Sequence, residues 1–423
     1  MKFLRFSAFY LKVFTLFTVL LLSEYTQTIA QTHPPVYMTL ASHNEDNTAW
    51  TTFSYYKPKR DLLVQLANIV QSKGAVWSFQ SDWKFLLGVA MFDTGSVVSN
   101  TNGKNLIKWM VEDKGIFCDP HSHEANGYNY ADVAYLHQQL GITPTKVVGG
   151  FLYDTVVNGN NWENLESGIY GRMYPFYFWQ PDILWGGGTP LHVNDPYPLG
   201  AWKPKSMNEY YVHDSTRHLL LLAHGCENHI EDTSNIYYNV ETLRNLVRQI
   251  DNGRLPDSGF YPAFSIFNVG DLNSSRVLKI SQFIDSVNAL TAGGRVQWKS
   301  LTQIYNIWNS TYGKKPYYVM CEDIPLAVEQ VSSSVPREYF LSQNYPNPFN
   351  PITKLKFQIS RGSFTKLVIF DITGKEITAL VNEEVDAGTY EVSWDGSNYP
   401  SGVYFCELTT EGFTQTRKMA LIK

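Results

Sequence analysis

Residues 117–124 read FCDPHSHE: an apolar lead-in, an acid, a proline and two histidines two residues apart. In an extended segment, residues i and i+2 point to the same side. His121 and His123 can therefore present two imidazoles to one point, as a divalent metal requires. Two exposed loop histidines are the plain alternative, and the flanking sequence has to decide between the two. Upstream, 106–111 has helical apolar spacing; downstream, 130–140 has it too and stops at Gly141. The H-x-H thus closes a short strand set between two helices.

The same alternation continues outward in both directions. Strand-like runs fall at 36–42, 75–79, 146–152, 217–223, 261–269 and 296–298, and helical spacing at 61–73, 240–250, 277–290 and 300–308. Strands alternating with helices imply parallel βαβ units. Six or seven of them over roughly 280 residues predict an α/β fold, a distorted (β/α) barrel of about seven strands. Residues 158–204 are rich in Trp, Tyr and Gly with little periodicity. An irregular stretch of that length inside a compact domain is usually functional. Trp179 and Trp185 within it are candidates to line a sugar cleft, and equally to fill a core.

In such barrels the chemistry sits where strands end and loops begin. Three polar clusters fall there: 43–46 (HNED), 119–124 and 224–229 (HGCENH). Taken singly each has a plain explanation. Asp46 reads as a turn cap, and His224, after four leucines and an alanine, as a satisfied core histidine. Their coincidence at strand ends favours a metal or acid–base site.

The first 30 residues carry Lys2, Arg5 and Lys12, then the apolar run 13–22 and the small-residue sequence Thr28-Ile29-Ala30. That is a secretory signal peptide with cleavage expected after Ala30. The apolar run is shorter than the roughly 20 residues a membrane span needs, and no later segment is apolar enough, so no integral membrane segment is expected. The net charge is −5 with no basic stripe, which argues against a nucleic-acid partner. Aromatic residues make up 15% of the chain; their flat apolar faces suit sugar-ring stacking and ordinary cores alike. Four cysteines are too few for a disulfide scaffold, and the pairing of any bridge is not legible.

Residues 31–322 are read as the barrel and 323–338, with Pro325, Ser332, Ser333, Ser334 and Pro336, as a linker. Beyond it, short alternating strands at 355–359, 365–370, 376–381, 388–394, 402–407 and 417–422 predict a small all-β, Ig-like sandwich over 339–423. It contains no histidine and carries no chemistry.

This last domain closely resembles the type IX secretion C-terminal sorting domain. The resemblance is carried by 341–351 (LSQNYPNPFNP), 368–372 with Gly374, Lys375 and Glu376, Trp394-Asp395-Gly396, 401–405 (SGVYF) and Arg417-Lys418-Met419. It implies a bacterial protein secreted or delivered to the outer-membrane surface, with the type IX machinery as a partner. Residues 36–308 resemble, remotely, the polysaccharide deacetylases of the glycoside hydrolase/deacetylase barrel superfamily. The matching positions are Glu45-Asp46, His121 and His123, the run 219–223 with His224, and 296–301 (VQWKSL). The resemblance implies Glu45 as base, Asp46, His121 and His123 as ligands of a divalent metal such as Zn, and His224 as the second catalytic residue. It also implies an acetylated polysaccharide as substrate. Three departures stand out. Glu-Asp replaces the family's Asp-Asp, the histidines are two residues apart instead of one helical turn, and no arginine motif is visible in 146–154. The alternatives are a glycoside hydrolase-like barrel working through carboxyls such as Glu124 or Glu227, a non-catalytic glycan-binding barrel, and a metal-dependent amidohydrolase or phosphoesterase.

Overall fold

A computed structural model describes residues 33–44, 48–123, 127–150, 162–186, 198–206, 209–223, 236–321, 329–332, 336–397 and 399–423. The chain divides into two compact units, Met1–Cys321 and Glu322–Lys423. The signal peptide read at 1–30 lies outside the described residues. No helix among the described residues is long and apolar enough to cross a membrane.

In the first unit, β1 (Val36–Asn44) is central. It pairs in parallel with β2 (Trp77–Ser81) on one edge and with β10 (Tyr261–Asn268) on the other. β3 (Phe117–Pro120) extends the sheet beyond β2, and β11 (Val296–Trp298) joins the first residues of β1. A second five-stranded sheet runs β12 (Tyr317–Met320), β8 (Pro198–Trp202), β9 (Leu220–Leu222), β7 (Ile183–Trp185), β4 (Val147–Gly149). β4, β7 and β9 are parallel; β8 and β12 run antiparallel to them. One parallel bridge, His121 to Gly149, joins the two sheets. β8 also packs against β10, with no ladder between them among the described residues. The mixed α/β class is as expected, and the pairings shown are two sheets meeting at a single bridge.

The helices cover the outer faces. The Phe53–Ser72 helix begins eight residues before the predicted 61–73, running through Pro58. The Trp83–Phe92 helix was not legible from spacing: its first turn is capped by Asp82, whose carboxylate accepts from Phe85 N, and its sequence is apolar nearly all round. Gly88 in it lies against the Trp50 carbonyl, where a Cβ would come within 2.5 Å of the oxygen. The helices Leu106–Glu112, Tyr130–Gln139, Ile236–Asp251, Ser274–Thr291 and Leu301–Ser310 fall where the spacing placed them. The stretch 158–204 is less irregular than its composition suggests, since it supplies the Trp162–Ser167 helix and the strands β7 and β8.

Parallel register sorts the inward-facing side chains into columns. On β10, β9, β7 and β4 the column is apolar: Phe264, Ile266, Leu220, Leu222, Ile183, Trp185 and Val147 share one buried cluster with Tyr37 and Ala41 of β1. On β2 and β3 it is polar: Ser78, Gln80, Asp119 and His121, all buried. The polar half of the interior ends at the carboxyl ends of the strands, and that places the site.

The second unit is two four-stranded antiparallel sheets. One runs β13 (Glu329–Ser332), β18 (Gly388–Asp395), β15 (Ile352–Ile359), β14 (Phe340–Leu341); the other β17 (Glu376–Val385), β16 (Ser363–Phe370), β19 (Gly402–Thr410), β20 (Phe413–Leu421). Burial alternates along β15, as its alternating sequence requires. Leu355, Phe357, Leu367, Ile369, Trp394 and Leu408 from both sheets form one core. Within the stretch read as linker, Glu329–Ser332 is a strand, paired to β18.

Candidate functional site

β1, β2 and β3 end side by side because their register pairs His43 with Gln80 and Gln80 with Asp119. His121 follows β3 directly. Its backbone N–H donates to Ser81 O (3.0 Å), and Ser122 N–H donates to Gly149 O (3.0 Å), which fixes the chain between β2 and β4. The His121 ring is 4% exposed. Its Nδ1 lies 3.0 Å from Gln80 Oε1, and its Nε2 lies 3.1 Å from Nε2 of His123. The expected convergence of the two imidazoles is therefore present. A third imidazole, His43 at the end of β1, sits edge-on to His121 with ring centroids 5.5 Å apart.

The glycines of β4 make this packing possible. A Cβ on Gly149 would lie 1.9 Å from Gln80 Oε1 and 3.1 Å from His121 Nδ1. Gly150 has φ +104°, and a Cβ there would strike the Ser122 carbonyl at 2.1 Å and approach the His123 ring at 3.1 Å. No side chain fits at either position without moving the histidines.

One layer beneath His121, the buried Asp119 accepts hydrogen bonds from Ser78 Oγ and from Thr145 Oγ1, the latter at 2.5 Å. Burial raises its carboxyl to about 6, against the opposing pull of those two hydroxyls. Burial, and then the Asp119 charge, push the neighbouring Cys118 thiol well up. Cys118 and Cys406 are free thiols, and Cys321 is disulfide-bonded.

Beyond His123 the chain re-enters the described residues at Gly127, where a Cβ would lie 3.7 Å from the Met173 sulfur. Met173 is exposed, as are Tyr170, Phe176 and Phe178 in the same stretch of chain. Tyr135 packs edge-on against Phe176 at 5.3 Å, and Tyr170 against Phe178 at the same distance. Asp132, wholly buried, holds the loop beneath these rings. Its carboxylate accepts the backbone N–H groups of Arg172 (2.9 Å), Met173 (3.1 Å), Tyr174 (2.9 Å) and Asn129 (2.9 Å).

Of the residues singled out from the sequence, His121 and His123 meet at one point. Glu45, Asp46 and His224 lie outside the described residues, as do Glu124, Glu227 and His229. Among the described residues no three His, Cys, Asp or Glu side chains form a metal-binding group; the third ligand expected, Asp46, is not one of them. Trp179 and Trp185 are buried core residues. Gln80 was missed by the sequence reading, and only the strand register reveals it.

The comparisons with known proteins divide along the same line as the two units. Residues 343–423 match the family model described as the secretion system C-terminal sorting domain. The second unit is thus a sorting domain of the type IX system, and the protein is secreted to the cell surface by that route. A likeness to PorZ, a surface component of the type IX system of Porphyromonas gingivalis, has 21% identity over 22% of this chain, 12% of that one, at TM-score 0.15. A Mycobacterium smegmatis protein assigned as a polysaccharide deacetylase aligns at 10% identity, covering 68% of this chain and 98% of that one, at TM-score 0.38. A GH57 branching enzyme from Thermococcus kodakaraensis aligns at 8% identity, covering 64% and 71%, at TM-score 0.39. Likenesses of that size carry no argument about activity. No curated protein matches the chain.

Proposed function

We propose that the first unit is an exported metal-dependent hydrolase of the polysaccharide deacetylase type, with its parallel strands arranged as a distorted barrel. The observation that carries this reading is the 3.1 Å approach of the two Nε2 atoms at the ends of a strand. Nitrogen ligands at about 2.0–2.1 Å from one tetrahedral Zn stand roughly 3.3 Å apart, so the pair is spaced close to one edge of a coordination tetrahedron. His121 and His123, with Asp46, would hold the ion. A bound divalent ion lowers the pKa of a water and polarises the scissile carbonyl. Glu45 is assigned the proton taken from that water, and His224 the protonation of the leaving group.

The substrate class we assign is an acetylated glycan. The exposed rings of Tyr170, Phe176 and Phe178 support it, because flat apolar faces stack on sugar rings. The 3.1 Å contact is equally the length of an N–H···N hydrogen bond between imidazoles, which supports a second reading: a glycan-binding barrel without a metal.

Metal analysis of the purified mature protein separates them. The hydrolase reading expects stoichiometric metal, abolished by His121→Ala, together with acetate release that Glu45→Gln abolishes without removing the metal. A protein that carries no stoichiometric metal ends that reading. Phe176→Ala is expected to weaken retention on an immobilised acetylated glycan by roughly 0.5–1.5 kcal/mol, up to about tenfold, and to leave metal content unchanged. Unchanged retention removes the rings from the glycan surface.

A further inference from the structure

Gln80 has the features of a group kept for one contact. It is wholly buried at the end of β2, and its side-chain oxygen is 3.0 Å from His121 Nδ1. Its amide nitrogen has no partner among the described residues. An amide left half-satisfied in a buried place is costly, so its contact with His121 has to justify its presence. Room for that contact exists only because residue 149 on the neighbouring strand has no side chain. A Cβ there would overlap Gln80 Oε1 at 1.9 Å. Three strands therefore cooperate on one imidazole: β2 supplies the carbonyl, β3 leads into the ring, and Gly149 of β4 vacates the space between them.

We infer that Gln80 is a positioning residue that holds His121 in its Nδ1–H tautomer and fixes the ring plane. The carboxamide oxygen is an acceptor, so the ring nitrogen facing it carries the proton. Nε2, the nitrogen 3.1 Å from His123, then carries a lone pair and no proton. Groups of this kind behind a metal-ligating histidine typically change metal affinity by about 10–100-fold. The affinity part of this inference rests on His121 being a metal ligand; the tautomer part does not.

The test uses the mature chain and two measurements. In metal-free protein with 15N-labelled histidine, at mildly alkaline pH, His121 is expected to show a protonated Nδ1 and an unprotonated Nε2. That pattern should weaken in Gln80→Ala and persist in Gln80→Glu, which keeps an acceptor oxygen. With Zn²⁺ alone, titrated against a chromophoric chelator, Gln80→Ala is expected to bind about 10–100-fold more weakly and Gln80→Glu to recover most of that loss. Gly149→Ala, which displaces the amide without altering it, should reproduce the Gln80→Ala defect. Thermal unfolding of each variant identifies any that fail to fold. Gln80→Met, which keeps the bulk and removes the acceptor, should remain as defective as Gln80→Ala, so that rescue by Gln80→Glu alone distinguishes positioning from bulk packing. An Nε2–H tautomer in the parent protein, or Zn²⁺ affinity in Gln80→Ala equal to the parent's, overturns the inference. If the parent binds no Zn²⁺, the metal reading fails by itself, and the tautomer measurement still decides the role of Gln80.

Discussion

Two of the places where the first unit buries polar groups are built on opposite principles. Between the Phe53–Ser72 helix and the segment after Phe92, the guanidinium of Arg60, fully buried, donates to Asp93 Oδ1, Asn100 Oδ1 and Thr101 Oγ1, each at 2.8 Å. Asp93 also accepts from the Tyr56 hydroxyl (2.8 Å) and from Leu106 N–H (2.6 Å). Donors and acceptors there are matched, and the network ties together four segments. At the ends of β2 and β3, by contrast, two imidazole nitrogens face each other and an amide is half-used. Saturated polar groups in the interior mark a frame. An amide held in place with half its capacity unused among the described residues marks a site.

If that contrast is right, the frame should be the costly place to cut. Asp93→Ala leaves the Arg60 charge buried without its counter-charge and should destabilise the first unit by about 3–5 kcal/mol in urea unfolding. A loss below about 1 kcal/mol would mean that the network is not the frame described.

A second test sets the two regions against each other by pH, in metal-free protein. His137, wholly buried in the Tyr130–Gln139 helix, has its pKa lowered by burial to about 4 from an ordinary 6.5. As pH falls from about 6.5 to about 4, the unfolded chain takes up a proton that the folded one refuses, and stability drops by roughly 3 kcal/mol. Asp119 has the opposite sign. Raised from 3.8 to about 6, it contributes stability below its unfolded value, and roughly 3 kcal/mol of that is lost as pH rises to about 6. The two slopes oppose each other between about pH 4 and 6. Asp119→Asn should expose the acid-side loss, and His137→Gln the loss on raising pH. Identical pH profiles for both variants and the parent would refute the opposition.

The smallest effect belongs to the rim of the frame. Tyr56→Phe removes one of the donors to Asp93 and should cost about 1–2 kcal/mol, with no change in Zn²⁺ binding. Altered Zn²⁺ affinity would couple the two regions.

How much of this was legible in the sequence differs by region for physical reasons. Six of the eight described strands of the second unit could be read, since a strand such as β15 buries one face and its sequence alternates accordingly; β13, inside the stretch read as linker, and the two-residue β14 could not. In the first unit the longer elements were legible, but β7, β8 and β12 were not. Strands of three to five residues are too short for a period, and runs such as Pro198–Trp202, buried at every position, have none to show. The H-x-H announced itself because two like residues at spacing two need only a strand to converge. Gln80 did not. A glutamine in a strand has no signature, and its partner is chosen by register across three strands and by a glycine about seventy residues away.

The loop carrying Tyr170, Met173 and Phe176 is gripped by Asp132 through backbone N–H groups, and a Cβ on its Gly171 would collide with that carboxylate, at 2.3 Å. What the protein fixes there is a path of main chain, and the rings are cargo upon it. Replacing an exposed ring there leaves in place the main-chain hydrogen bonds that shape the loop.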